Sequence, residues 1–167
     1  MTDVAKGLQA GLGYRFVDSM VLTRALTHRS AGPAHNERLE FLGDSVLSIV
    51  ISDNLYRRYP EATEGELTRC RARLVRQETL AFVAQKLGLA DALTVGQAMG
   101  ARGSADHPGV LADALEALIG AVFIDGGYAA VVLVVEGIFA ELLRDIAPES
   151  ISKDAKTALQ ELLHKQG

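Results

Sequence analysis

Two short stretches of this 167-residue chain place carboxylates where a core helix would carry hydrocarbon. In HNERLEFLGDSVL, residues 35–47, Glu37, Glu40 and Asp44 are threaded among Leu39, Phe41, Leu42, Val46 and Leu47. In LADALEALIG, residues 111–120, Asp113 and Glu116 stand three residues apart among Leu111, Leu115, Leu118 and Ile119. Residues three or four apart are neighbours on a helix surface, so each stretch offers a carboxylate pair, Glu40 with Asp44 and Asp113 with Glu116. At about 100° per residue, Glu37, Glu40 and Asp44 fall within an arc of roughly 60°.

Several ionised carboxylates buried together are very costly unless a cation compensates them or they take up protons. Neither helix carries Lys or Arg beside its acids except Arg38, which falls elsewhere on the wheel. A divalent ion answers the charge, and an all-oxygen ligand set selects Mg²⁺, with Mn²⁺ as a substitute, before zinc or iron. For Glu37 the first helical turn by itself accounts for an acid, which the helix dipole favours.

The elements that must position these acids are helical. The first acid stretch belongs to a helix from about Asn36 to the residue before Pro60, apolar on nearly every side. Leu39, Leu42, Val46, Ile49 and Val50 lie opposite the acids, and Phe41, Leu47 and Ile51 flank them. That pattern predicts a central helix surrounded by others. VDSMVLTRALTH, residues 17–28, predicts a shorter helix starting near Asp18 or Ser19, and TEGE, residues 63–66, fits a capping box with Thr63 and Glu66. The helical region that follows is interrupted near Arg76. Gly96, Gly100, Gly103, Pro108 and Gly109 mark a loop ahead of the second acid stretch. Gly126 and Gly127 end that helix, and another runs from Tyr128 towards Pro148. Gly43 and Gly120 lie inside the two acid-bearing helices, where glycine costs on the order of 1 kcal/mol relative to alanine. Close helix approach would justify both, and so would packing alone.

Composition bounds the remainder. Hydrophobic residues make up 49% of the chain and aromatic residues 5%, with no Trp, which fits one globular domain with an aliphatic core. A formal net charge of −4 argues against nucleic-acid binding by bulk positive charge. Arg57, Arg58, Arg69, Arg71, Arg73 and Arg76 form a local basic run that offers phosphate contacts, although such runs are usually a solvated helix face. The single cysteine, Cys70, reads as a packed thiol in a reduced compartment. ALIGAVFI and AAVVLVV are each too short to span a bilayer, and no secretory signal is evident, so a soluble, cytoplasmic protein with no membrane partner is expected.

NERLEFLGDSVL resembles the signature segment of the ribonuclease III family, and LADALEALIGAVFIDGGY resembles its second catalytic segment. ALTHRS, residues 25–30, and EGELTRCRARLVRQETLA, residues 64–81, follow in the expected order and spacing. The resemblance covers essentially the whole chain. It implies an all-α endonuclease domain over residues 1–147, acting as a homodimer that cleaves double-stranded RNA with Mg²⁺. The products would carry 5′-phosphate and 3′-hydroxyl ends with short 3′ overhangs, in rRNA, mRNA and tRNA processing. Glu40, Asp44, Asp113 and Glu116 are the implied metal ligands, Asp44 and Glu116 among them catalytic. Glu37 and Glu64 match positions linked to substrate, Phe41 a residue that plugs the partner subunit, and His28 reads as a packed, hydrogen-bonded histidine. For Glu64 a first-turn helix acid is the competing reading. Residues 148–153 read as a linker. KDAKTALQELLHKQG resembles the opening of a double-stranded-RNA-binding domain cut short, with Thr157, Gln160 and Glu161 at its minor-groove positions. On that reading most RNA affinity resides in the missing part.

The chain departs from the family pattern where a Glu and a Ser are common before the Leu-Ala-Asp element. Met99 and Gly109 stand there, although no implied ligand is lost. A di-iron carboxylate bundle would need His three residues after Glu, but Gly43 follows Glu40 and Ile119 follows Glu116. The other rival is a non-catalytic member of the same family, an RNA-binding or scaffold protein, which would be expected to lose ligands.

Overall fold

The computed structural model describes residues 3–96 and 105–148. Among them eight α-helices carry the fold and no β-strand occurs; a lone parallel bridge joins Thr27 to Thr94. Helix α1 spans Asp3–Leu12 and α2 spans Ser19–Ala25. A 3₁₀ turn at Arg29–Ala31 leads into α3, Glu37–Arg58. Then come α4 at Glu64–Val75, α5 at Gln77–Lys86 and the short α6 at Leu89–Ala92. Helix α7 covers Pro108–Ile138 and α8 covers Ala140–Asp145.

The helix boundaries follow local chemistry. Asp18 caps α2 by accepting from the Met20 amide at 2.8 Å. Thr63 and Glu66 form the reciprocal capping box that starts α4. Arg76 adopts extended backbone (ψ 152°), which separates α4 from α5. Helix α7 opens on a His107 cap with Pro108 in its first turn, where proline's missing N–H costs nothing.

Helices α3 and α7 form the centre, with α5 packed against α7. Leu47, Ile51 and Leu55 of α3 and Leu111, Leu115, Leu118 and Ile119 of α7 are fully buried. Burying each such side chain stabilises the fold by about 1.5–3 kcal/mol. Cys70 is also buried and free, as expected.

Two expectations need correction. Helix α3 is not enclosed on all sides: Phe41 is 79% exposed, and Ile49, assigned to the buried side, is 55% exposed. With Tyr56 they lie within about 80° of arc, an apolar stripe open to solvent. The second correction concerns the two apolar runs judged too short to span a bilayer. They join into the 31-residue α7, which by length and composition is long and apolar enough to cross one. Its break is Gly127, whose φ of 76° favours glycine and reorients the chain where the sequence predicts one helix to end. In this fold α7 is the core helix, its inner face filled by other helices.

Just before that break, Asp125 fastens the α1–α2 connection to α7. It accepts from the Tyr14 hydroxyl at 2.7 Å and from the Val17 and Asp18 amides at 2.8 Å. Burial, reinforced by that bond, pushes the Tyr14 phenol up to about 12.

Candidate metal centre

Helices α3 and α7 touch backbone to backbone where the acids stand. A Cβ added at Gly43 would lie 1.7 Å from the Glu116 carbonyl oxygen, and one at Gly120 would lie 2.3 Å from the Leu39 carbonyl oxygen. No side chain fits at either position, so the two glycines permit the approach. The contacted carbonyls belong to Glu116 itself and to the residue before Glu40. The crossing therefore sets the spacing of the acids directly.

Glu40, Asp113 and Glu116 each place a carboxylate oxygen within 4.8 Å of the others. Opposite ligands across an octahedral Mg²⁺ are about 4.2 Å apart, so a small side-chain adjustment lets the three embrace one ion. The donor set is all oxygen, which fits a hard divalent cation. Asp44 is exposed and stands outside this tight group, but its charge is the strongest one felt by Glu116.

The electrostatics register the crowding. Burial, then the charges of Asp44, Asp113 and Glu40, pushes the Glu116 carboxyl up to about 8. Burial also raises Glu40, with Asp113 and Glu37 adding to it. Asp113 is raised by burial, against the opposing influence of His28, Arg29 and His107. Without a bound cation, the site favours the protonated form of Glu116, and perturbed carboxyls of this kind cluster at functional sites.

Three of the acids, Glu37, Glu40 and Asp113, are not interior, as the apolar pattern predicts, but line a cleft of 470 Å³. Arg29, Asn36 and His107 line it too. The sequence reading passed over these three, because they come from the α2–α3 connection and the loop before α7, not from the acid helices. Arg29 was within reach, since it lies inside ALTHRS.

The other expected site residues are placed as follows. Glu37 is paired with Arg29 at 3.2 Å and lies 3.7 Å from His35. Glu64 stands in the first turn of α4 and accepts from the Thr68 hydroxyl at 2.7 Å. His28 is hydrogen-bonded, its Nδ1 accepting from the Ser30 amide at 3.2 Å. Phe41 projects from α3 into solvent. At Gly109, where a Ser is common, the His107 ring takes the capping bond from the Gly109 amide at 3.2 Å. Met99, Thr157, Gln160 and Glu161 lie outside the described residues, as does the stretch read as a second domain.

Arg57, Arg58, Arg71 and Arg76 are among the arginines bonded within the fold. Arg57 pairs with Asp53 at 2.9 Å, and Arg58 donates to the Leu143 and Arg144 carbonyls. Arg71 donates to the Ser52 hydroxyl at 3.0 Å, and Arg76 reaches Thr79 at 3.3 Å.

Comparison with known proteins finds relatives of the chain. A family model described as Ribonuclease-III-like matches residues 18–142. A Ribonuclease 3 from Bordetella avium is 49% identical over 156 residues, 93% of this chain, and the chain spans 62% of that relative's length. The nuclease domain of ribonuclease III from Campylobacter jejuni superposes with a TM-score of 0.78 at 36% identity, covering 84% of this chain and 97% of that one. A second structure of that domain, described as showing flexibility in a region involved in dimer formation, gives 0.76 at 37%, covering 81% of this chain and 96% of that one.

Proposed function

The chain belongs to the ribonuclease III family, and from that membership we propose that it is a Mg²⁺-dependent endoribonuclease cutting double-stranded RNA. The observation that carries this reading is the convergence of Glu40, Asp113 and Glu116 within 4.8 Å at the Gly43–Gly120 crossing. These three, joined by Asp44 at the rim, hold the ion; Mn²⁺ substitutes for it. When bound, the ion supplies an acidified water and charge stabilisation at the scissile phosphate.

The chain's own groups do the positioning. Asp113 and Glu116 are fixed on one rigid helix and Glu40 on another, so their oxygens need little reorganisation during the reaction. In-line attack by water at phosphorus forms the new P–O bond of the 5′-phosphate and breaks the bond to the 3′-oxygen, which takes a proton and leaves as the 3′-hydroxyl. Glu37, at the cleft mouth, accepts a hydrogen bond from a 2′-hydroxyl, the group that separates RNA from DNA, and Glu64 is a further acceptor.

The Phe41, Ile49 and Tyr56 stripe supports a homodimer, with Phe41 entering the partner so that two sites cut two strands with short 3′ overhangs. Residues 1–147 form the nuclease domain, 148–153 a linker, and 154–167 the start of an RNA-binding domain that uses Thr157, Gln160 and Glu161. Processing of rRNA, mRNA and tRNA precursors in the cytoplasm fits this activity. The non-catalytic alternative is disfavoured because all four acids are present.

A long perfect RNA duplex at low salt tests the reading. Cleavage is expected with Mg²⁺ and none with chelator, both followed on a gel; an inert protein would favour the scaffold alternative.

A further inference from the structure

The wall of the cleft beside the acids is built from donors that the metal reading does not use. Arg29, Asn36, His28 and His107 line the same 470 Å³ space as Glu40 and Asp113. The two histidines share a constraint. Each Nδ1 accepts a backbone N–H at 3.2 Å, from Ser30 for His28 and from Gly109 for His107. A ring nitrogen that accepts carries no proton, so each ring in this arrangement is neutral and carries its N–H at Nε2. Both rings are thereby fixed as donors.

Asn36 adds a second, independent sign. It sits at the N-cap of α3, where asparagine ranks among the best capping residues, yet its side chain makes no cap hydrogen bond. The residue is only 3% exposed and lines the cleft. An amide withheld from the helix and turned to a buried cleft wall is available to a ligand. Arg29 completes the set. Its partner Glu37 is about half exposed, and an exposed ion pair is weak, so a stronger anion displaces it readily.

Donors and metal-binding acids that line one cleft suit a group with several anionic oxygens, some for the donors and some for the metal. We propose that Arg29, Asn36, His28 and His107 form a phosphodiester-binding wall. One non-bridging oxygen of an RNA backbone phosphate faces these donors, and the opposite oxygens face the metal side. Guanidinium and phosphate match in a bidentate fork, and Asn36 and the rings supply single N–H donors. The amino-terminal end of α7, beginning beside His107, adds its positive dipole end to the same space. This rests on the nuclease reading, but its test does not depend on turnover.

The experiment measures binding of a short 5′-phosphorylated RNA duplex in Mg²⁺ by fluorescence anisotropy across a salt series. Arg29→Gln is expected to weaken binding about tenfold and to reduce the log K against log salt slope by about one charge. Arg29→Lys should restore part of the affinity, since it keeps the charge but not the fork. His107→Ser retains a capping oxygen for α7 and should weaken binding several-fold. Mn²⁺ affinity, measured by calorimetry, should be unchanged or tighter in Arg29→Gln. Binding equal to wild type in Arg29→Gln and His107→Ser would overturn the inference, and so would a wild type that binds no duplex. A wild type that binds duplex through Arg29 yet takes up no Mn²⁺ would uphold this wall and sink the metal reading instead.

Discussion

The two ends of the α3–α7 pair handle charge in opposite ways. At the far end, the charges lining the other cleft, those of Asp53, Arg57, Arg58 and Glu136, have local partners. Asp53 pairs with Arg57 at 2.9 Å, Asn54 donates to Glu136 at 3.4 Å, and Arg58 grips the closing carbonyls of α8. At the glycine crossing, acids meet acids, and burial, with the neighbouring carboxylates adding to it, lifts Glu116 to about 8. The larger cavity, 920 Å³, lies at the satisfied end and the smaller one at the crossing. Volume therefore misleads here, and uncompensated charge is the better guide to function. A structural ion pair is complete within the fold. A functional cluster leaves a deficit that a ligand fills.

The largest way to break this contrast is to remove the deficit. Glu116→Gln should abolish cleavage, a loss on the order of 10³-fold or more, equivalent to about 4 kcal/mol. Folding and dimerisation should survive. The same variant tests the electrostatics in the absence of metal. The Glu116 carboxyl is raised when folded, so it stabilises the fold fully below about pH 4.5, and that contribution is lost as pH rises through about 8. Because the carboxylate reaches solvent, the loss is about 1–2 kcal/mol, well below the full value of the shift. Thermal melts of the metal-free protein should fall over that window, and Glu116→Gln should flatten the fall. Equal slopes for both proteins would contradict the assignment.

A smaller effect is expected from the spacing itself. Gly43→Ala puts a methyl group against the Glu116 carbonyl and forces the helices apart, costing about 1–3 kcal/mol. Mn²⁺ affinity should drop while helicity by circular dichroism persists below the lowered Tm. Undiminished Mn²⁺ binding would show that the crossing does not set the acid geometry.

The smallest effect belongs to the satisfied end. Arg57→Ala removes an exposed pair one helical turn apart and should leave Tm almost unmoved, with cleavage unchanged. A marked loss of cleavage there would erase the distinction between the two ends.

Much of this was legible before any coordinates. The capping box at Thr63, the break at Arg76, the cap at Asp18 and the kink at Gly127 are local, each decided by a few adjacent residues, and each was readable in order along the chain. The acids were legible because periodicity exposes a polar residue in an apolar helix. Which side of α3 meets solvent was not. Phe41 and Ile49 are as hydrophobic as Leu47, and only the arrangement of neighbouring helices leaves them uncovered.

The sequence by itself determined the helices, the acidic residue types and, through their spacing, the prospect of a divalent ion. Tertiary structure decided which carboxylates meet, because 73 residues of chain separate Glu40 from Asp113 and only the backbone contact at Gly43 and Gly120 closes that distance. It also decided what faces them. Arg29, Asn36 and His107 reach the cleft from separate connections, and no helical period links a residue to a neighbour that long-range folding supplies.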